Sequence, residues 1–277
     1  MGPIGVFDSG FGGLTVLKKI VKKLSQYDYV YLGDNARTPY GTRSFDTVYN
    51  YTLQAVQWFF EQGCPLVILA CNTASAKALR TIQQHDLPLH FPDKKVLGVI
   101  RPTSEKIGLI SKTGKVGVLG TTGTVKSESY IVEIQKFYPQ LKVYQEACPM
   151  WVPLIENMEQ DTIGADYFIQ KNLENLLRQD PSIDTILLAC THYPLIQHKI
   201  ELFLPAEIKV IEQGQIVADS LADYLIRHTE VEMKCTKNNS MQFFTTDSAL
   251  DFNKYGSIFF DAEVQSKQVD LGQDLKK

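Results

Sequence analysis

The amino-acid sequence predicts an α/β protein: two doubly wound, mainly parallel-sheet lobes related by pseudo-symmetry, with the active site between them. Three observations support this. Short runs rich in Val, Ile and Leu alternate with longer stretches of helical period, the pattern of strand–helix–strand units. Several runs are apolar on both faces, as strands are when helices cover both sides of a parallel sheet. Finally, Ile68-Leu69-Ala70-Cys71-Asn72-Thr73 is echoed by Leu187-Leu188-Ala189-Cys190-Thr191-His192, and ahead of each lies a strand ending in a glycine-containing polar turn.

In chain order, strands are expected at 4–7, 29–32, 66–70, 96–100, 116–119, 141–143, 185–189 and 208–210. Amphipathic helices are expected at 14–24, 45–62, 74–84, 125–137, 163–177 and 213–228. The first strand, Ile4-Gly5-Val6-Phe7, runs into Asp8-Ser9-Gly10. Its counterpart, Val116-Gly117-Val118-Leu119, runs into Gly120-Thr121-Thr122. The spacing from strand to cysteine is similar in both halves, which suggests two related lobes contributing one cysteine each. The expected division is 1–97 plus 208–277 for the first lobe and 98–207 for the second. The C-terminal part has no third copy and is expected to pack back onto the first lobe.

Composition narrows the function. With 28 basic and 31 acidic residues the net charge is −3, which gives no electrostatic case for nucleic acid or an anionic membrane. The longest apolar runs, such as 66–71, have strand length and fall far short of the ~20 residues of a transmembrane helix. The start of the chain lacks a cationic region, a long apolar stretch and a small-residue cleavage site, so a cytoplasmic protein is expected. The five cysteines, Cys64, Cys71, Cys148, Cys190 and Cys235, are odd in number and lack the close spacing of a redox or metal motif. The histidines show no ligand spacing either, and no metal is expected.

Two cysteines nevertheless stand where open α/β sheets bind ligands, beyond the carboxyl ends of strands. Cys71 follows the run 66–70 and precedes Asn72-Thr73-Ala74-Ser75-Ala76, small and capping residues that open a helix. Unpaired N–H groups and the positive end of the helix dipole favour the thiolate there and are expected to lower a pKa of ~8.5. A lone cysteine is more often a buried structural hydrophobe; the strand-to-helix position and polar neighbours argue otherwise here. Cys190 has the same setting, ahead of Thr191-His192-Tyr193-Pro194, and His192 stands ready to stabilise the thiolate or exchange its proton. Cys64, Cys148 and Cys235 lack this context and read as bystanders.

Neighbouring loops are polar without matching a phosphate motif. In Asp8-Ser9-Gly10-Phe11-Gly12-Gly13, Thr15 stands where a dinucleotide loop needs its third glycine, and Asp8 would repel a phosphate. A turn holding an ammonium on Asp8 and a carboxylate on N–H groups fits better. The stretch 108–115 has one residue too many for a P-loop and ends before Val116 instead of Ser or Thr. The segment from Gly33 to Gly41 also lies at the carboxyl edge of the sheet, although a turn built on Pro39 and Gly41 would explain it without a function.

A single activated cysteine suggests acyl transfer. Two cysteines in mirror-related lobes suggest proton transfer on opposite faces of one small ligand: a thiolate removes a proton from carbon while a thiol delivers one from the other side, inverting the centre. Because an amino-acid α-proton is weakly acidic, such a site must exclude water and surround the carboxylate with donors.

Asp8-Ser9-Gly10, Gly33-Asp34 with Pro39-Tyr40-Gly41, Ala70-Cys71-Asn72-Thr73-Ala74-Ser75-Ala76, Gly120-Thr121-Thr122-Gly123-Thr124 and Ala189-Cys190-Thr191-His192-Tyr193-Pro194-Leu195 occur in the order and spacing of glutamate racemases. The chain resembles that family, a cofactor-independent group within the aspartate/glutamate racemase superfamily. The resemblance implies Cys71 and Cys190 as the acid/base pair, assisted by Asp8 and His192 respectively. It implies that Ser9, Tyr40, Gly41, Asn72, Thr73, Thr121, Thr124 and Thr191 bind the substrate's charged groups, and it gives Asp34 and Glu156 secondary roles. It also implies no cofactor, a homodimer, and D-glutamate supplied to peptidoglycan synthesis. Three alternatives remain open: an aspartate racemase, separated by one methylene worth only ~1–3 kcal/mol; a Cys190–His192 amide hydrolase, which leaves Cys71 unexplained and pairs residues very close in sequence; and a two-lobed binding protein with inert cysteines.

Overall fold

The computed structural model describes residues 1–272. Among these, ten strands pair exclusively in parallel: β1 (Ile4–Asp8), β2 (Tyr29–Gly33), β3 (Leu66–Leu69), β4 (Lys95–Gly98), β5 (Lys115–Gly120), β6 (Lys142–Ala147), β7 (Thr185–Ala189), β8 (Lys209–Ile211), β9 (Met241–Thr245) and β10 (Ser266–Gln268). They form a six-stranded sheet, ordered β10-β9-β2-β1-β3-β4, and a four-stranded sheet, ordered β6-β5-β7-β8. The order β2-β1-β3-β4 of the first matches β6-β5-β7-β8 of the second strand for strand, so the repeat read from the two cysteine segments extends through eight strands. β1, β2, β3 and β7 are buried throughout, which explains why their sequences are uninterrupted apolar runs.

Helices cover the sheets. The helix Leu14–Lys23 buries Leu14, Val16, Leu17 and Ile20, each worth about 1.5–3 kcal/mol relative to exposure. It packs on the helix Gly214–Arg227, which contributes Val217, Leu221 and Leu225 to the same core. Thus the returning C-terminal chain joins the first sheet, with β9 and β10 extending its β2 edge. The chain remains in the second sheet through β8, however, past the expected return at residue 208. The expected C-terminal residues 273–277 lie outside the described residues.

Several elements differ from expectation. The helix expected at 74–84 begins two residues earlier as Asn72–Lys77 and continues as short pieces with a π-turn at Ile82–Asp86. The one expected at 125–137 is two helices, Thr122–Lys126 and Ser129–Phe137, separated where Glu128 adopts a left-handed φ of 53°. The helices Ile100–Ile107, Trp151–Glu156 and Ala249–Phe260 were not foreseen.

Parallel register then positions the polar loops. Asp8 ends β1 opposite Gly33, and Phe7 pairs with Leu69 just before Cys71. In the other sheet, Gly120 pairs with both Ala147 and Ala189, bringing Thr121, Cys148 and Cys190 to one edge.

Candidate active site

The loops at the carboxyl edges of the two sheets enclose a cavity of about 90 Å³. This is far below the ~300–1,000 Å³ of sites for drug-sized ligands and suits a small polar molecule. Cys71 and Cys190 both line it, together with Ser9, Tyr40, Gly41, Asn72, Thr73, Thr121, Thr191 and His192. A larger groove of about 600 Å³, bordered by Leu79, Arg101 and Tyr224, reaches neither cysteine.

Cys71 is the N-cap of Asn72–Lys77: its Sγ accepts from the backbone N–H of Ala74 at 3.4 Å and lies 3.6 Å from Ser9 Oγ. A helix N-terminus alone would lower its pKa. Burial, reinforced by Asp8, instead pushes the thiol up to about 12, outweighing the Ala74 and Ser9 contacts. The lowering expected from the helix N-terminus is thus opposed by burial and by Asp8. Asp8 is fully buried behind the cavity wall, accepting from the Gly10 N–H at 3.0 Å and from Thr191 Oγ1 at 3.2 Å. Burial raises its carboxyl above the usual range, with His192 and the Gly10 and Gly13 N–H groups opposing.

Cys190 is followed by a turn and the short 3₁₀ segment Tyr193–Ile196 in place of an α-helix. Its Sγ lies 3.9 Å from His192 Nδ1, and His192 Nε2 lies 2.9 Å from Glu156 Oε1. Burial works against an imidazolium here. The hydrogen bonds to Cys190 and Glu156, with their negative charge, prevail and raise His192 well above its ordinary value. Closeness in sequence therefore does not prevent contact between Cys190 and His192, and Glu156 completes a chain of three groups.

The remaining predicted residues divide between wall and support. Thr73 Oγ1 meets Thr121 Oγ1 at 2.9 Å across the two sheets, while Thr124 is fully buried and holds Thr121 from behind at 3.1 Å. Asp34, also buried, receives the Tyr40 hydroxyl, the Arg37 Nε at 2.7 Å and the Thr246 hydroxyl at 2.8 Å, so it fixes the loop that presents Tyr40 and Gly41. Both junctions are tight. A Cβ on Gly12 would lie 2.3 Å from Thr191 Oγ1 and 2.5 Å from His192 Nδ1, and one on Gly41 would lie 2.8 Å from the Thr121 Cβ.

Cys148 is a correction: although read as a bystander, it lines the cavity beside Pro149, Val152 and Pro153. The signal was hidden because β6 is half-exposed and carries Lys142, Tyr144, Gln145 and Glu146, so its sequence shows no apolar run reaching residue 147. Recognised at full length, β6 would have marked Cys148 as a third strand-end cysteine. Cys64 and Cys235 are buried and do not border the cavity.

Known proteins share this architecture. The model of the Asp/Glu/Hydantoin racemase family matches residues 4–221. The glutamate racemase of Geobacter metallireducens is 38% identical over 256 residues, 92% of each chain. Among solved structures, glutamate racemase isoform RacE1 from Bacillus anthracis aligns with a TM-score of 0.88 at 33% identity, covering 98% of each chain. That of Francisella tularensis in complex with D-glutamate aligns at 0.85 with 32% identity, again over 98% of each chain. The chain belongs to the Asp/Glu/Hydantoin racemase family, with glutamate racemases as its relatives across nearly its whole length.

Proposed function

We propose that this chain interconverts L- and D-glutamate by a two-cysteine proton transfer. The observation that carries the reading is the placement of Cys71 and Cys190 after equivalent strands, β3 and β7, on the wall of one small cavity. One sulfur, as thiolate, takes the α-proton and the other, as thiol, gives its proton to the opposite face. The product is the other enantiomer with thiol and thiolate exchanged, so the reverse reaction uses the same groups in the opposite roles. Asp8 serves the Cys71 side, and His192, held by Glu156, serves the Cys190 side. The first-turn N–H groups of Asn72–Lys77 and Thr122–Lys126 that the Cys71 and Thr121 caps do not occupy, and the hydroxyls of Ser9, Thr73, Thr121 and Thr191, receive the carboxylates. Tyr40 and Gly41 close the wall, and Thr124 acts through Thr121.

The enzyme works without pyridoxal phosphate or metal, as a homodimer in the cytoplasm, and feeds D-glutamate to peptidoglycan synthesis. No helix among the described residues is long and apolar enough to cross a membrane. Incubation with each glutamate enantiomer in D2O tests the proposal: optical rotation should decay as deuterium replaces the α-proton, with no added cofactor. Inversion of aspartate but not glutamate would move the substrate assignment, and amide hydrolysis without inversion would assign the Cys190–His192–Glu156 chain to acyl transfer.

A further inference from the structure

We infer that Gln213, with Tyr130, is a positioning residue that sets the alignment of the two cysteine-bearing lobes. The chain crosses between the two sheets twice: after β4 through Val99, and after β8 through Gln213. The Gln213 side chain joins both crossings to the cavity. Its Oε1 accepts from Asn72 Nδ2 at 2.7 Å, and its Nε2 donates to Tyr130 OH at 2.6 Å and Thr103 Oγ1 at 3.0 Å. Tyr130 OH in turn donates to Asn72 Oδ1, and Thr103 Oγ1 donates to Val99 O at 2.8 Å.

The donors and acceptors close without conflict. Each hydrogen of the Gln213 amide has one hydroxyl acceptor, and each of those hydroxyls passes its own hydrogen onward. Asn72, Gln213, Tyr130, Thr103 and Val99 are all at most 4% exposed. Bulk solvent does not reach these groups, and a buried amide left unpaired costs about 1–3 kcal/mol. Asn72 stands next to Cys71, whereas Tyr130 and Thr103 lie on helices packed on the sheet that carries Cys190. The ring uses the Asn72 carbonyl and one amide hydrogen, so a single Nδ2 hydrogen remains for a ligand in the cavity. Gln213 thus couples the interlobe crossing to the residue beside one of the reacting sulfurs.

This inference rests on the racemase reading, and two measurements separate the two claims. Gln213→Ala and Tyr130→Phe are compared with the native enzyme for racemisation kinetics and for iodoacetamide labelling resolved by cysteine. Labelling needs no turnover, and Cys64, buried in the first-lobe core away from the cavity, reports global opening. Expected are a loss of kcat of about ten- to a hundred-fold with KM changed less than about threefold, and labelling of Cys71 and Cys190 raised at least about threefold relative to Cys64. The double variant should lose no more than the worse single one, because both break one ring. An inactive native enzyme defeats the racemase reading alone; the labelling ratio then decides this inference. Unchanged labelling ratios in the folded variants overturn it, as does a fully active Tyr130→Phe beside a Gln213→Ala chain that fails to fold.

Discussion

Cys71 and Cys190 occupy the same place in two sheets of the same strand order, yet their surroundings carry opposite charge. Cys71 caps a helix, faces Ser9 and has the Asp8 carboxyl behind it; burial and that acid hold it as a thiol. Cys190 has no helix behind it and instead contacts His192, whose pKa is raised by its contacts with Cys190 and Glu156. Equivalent backbone positions thus need not have equivalent chemistry. The fold supplies two strand ends facing one cavity, and the loop residues that follow decide where the protons rest. Burial and Asp8 favour a proton on the Cys71 sulfur, whereas the contacts of His192 with Cys190 and Glu156 favour one on the imidazole.

The strongest way to break the comparison is to remove one end at a time. Cys71→Ser and Cys190→Ser should each reduce inversion by about 10³–10⁴-fold, at the upper end of what one general acid–base group contributes. They should differ in one respect. Each variant keeps a base on one face only, so residual α-proton exchange with D2O should survive from opposite enantiomers, read by NMR with each pure enantiomer. Inversion at native rate in Cys71→Ser would remove the two-thiol mechanism.

A smaller effect should come from Glu156→Ala, which acts on the Cys190 end through His192 alone. Loss of a hydrogen bond to a charged group, about 1.5–3 kcal/mol, corresponds to roughly 10–100-fold in rate. The pH–rate profile sharpens this. With its anionic partner gone, His192 should titrate at lower pH, moving the limb it controls to more acidic values, while Cys71 labelling by iodoacetamide stays unchanged. Asp8→Asn should do the reverse. It removes an acid that holds the Cys71 thiol up, so Cys71 should label faster at fixed pH.

How far all this was legible from sequence depended on whether each signal was local. β1, β3, β5 and β7 were readable because a strand covered on both faces has to be written in Val, Ile and Leu. β10, Ser266-Lys267-Gln268, is an exposed edge strand with no such requirement. The helix Ile100–Ile107 was masked by the apolar run before it and by Pro102, which is tolerated there because a helix's first turn has no hydrogen bond to lose. The cysteines were found from strand ends and small following residues. The direction of the Cys71 shift was not, because the helix N-terminus is visible in sequence whereas burial and Asp8 are supplied by the tertiary fold. Gln213 and Tyr130 carry no local mark at all: each stands in an ordinary helical pattern, and only folding joins them to Asn72.

A modest geometric perturbation should come from Gly12→Ala. The added methyl meets Thr191 and His192 at 2.3–2.5 Å, so the Cys190 loop must move. About tenfold loss of kcat is expected, since a displacement of this kind affects the alignment of reacting groups more than their identity. Gly41→Ala presses on Thr121 instead and should appear chiefly in KM, measured with the same assay.

The smallest effects, on stability, test the charge asymmetry without any turnover. Both Cys71 and His192 are raised in the folded state, so at each the folded chain holds a proton more tightly than the unfolded one. Stability from such a group is fully present below its unfolded pKa and is lost as pH rises through the folded value. For His192 that loss begins near 6.5; for Cys71 it runs from 9.0 to about 12. Where a group is fully protonated in one state and deprotonated in the other, the slope is about 1.4 kcal/mol per pH unit. Urea midpoints followed against pH should therefore begin to decline near 6.5 through His192 and decline further from about 9 through Cys71. His192→Asn should flatten the decline that starts near neutrality and leave the alkaline one. Cys71→Ala should lessen only the alkaline one, where Cys64, also pushed up to about 12, maintains a residual slope. If both variants flatten the same window, the two ends hold their protons on equivalent groups, and the symmetry of the strands extends to the chemistry after all.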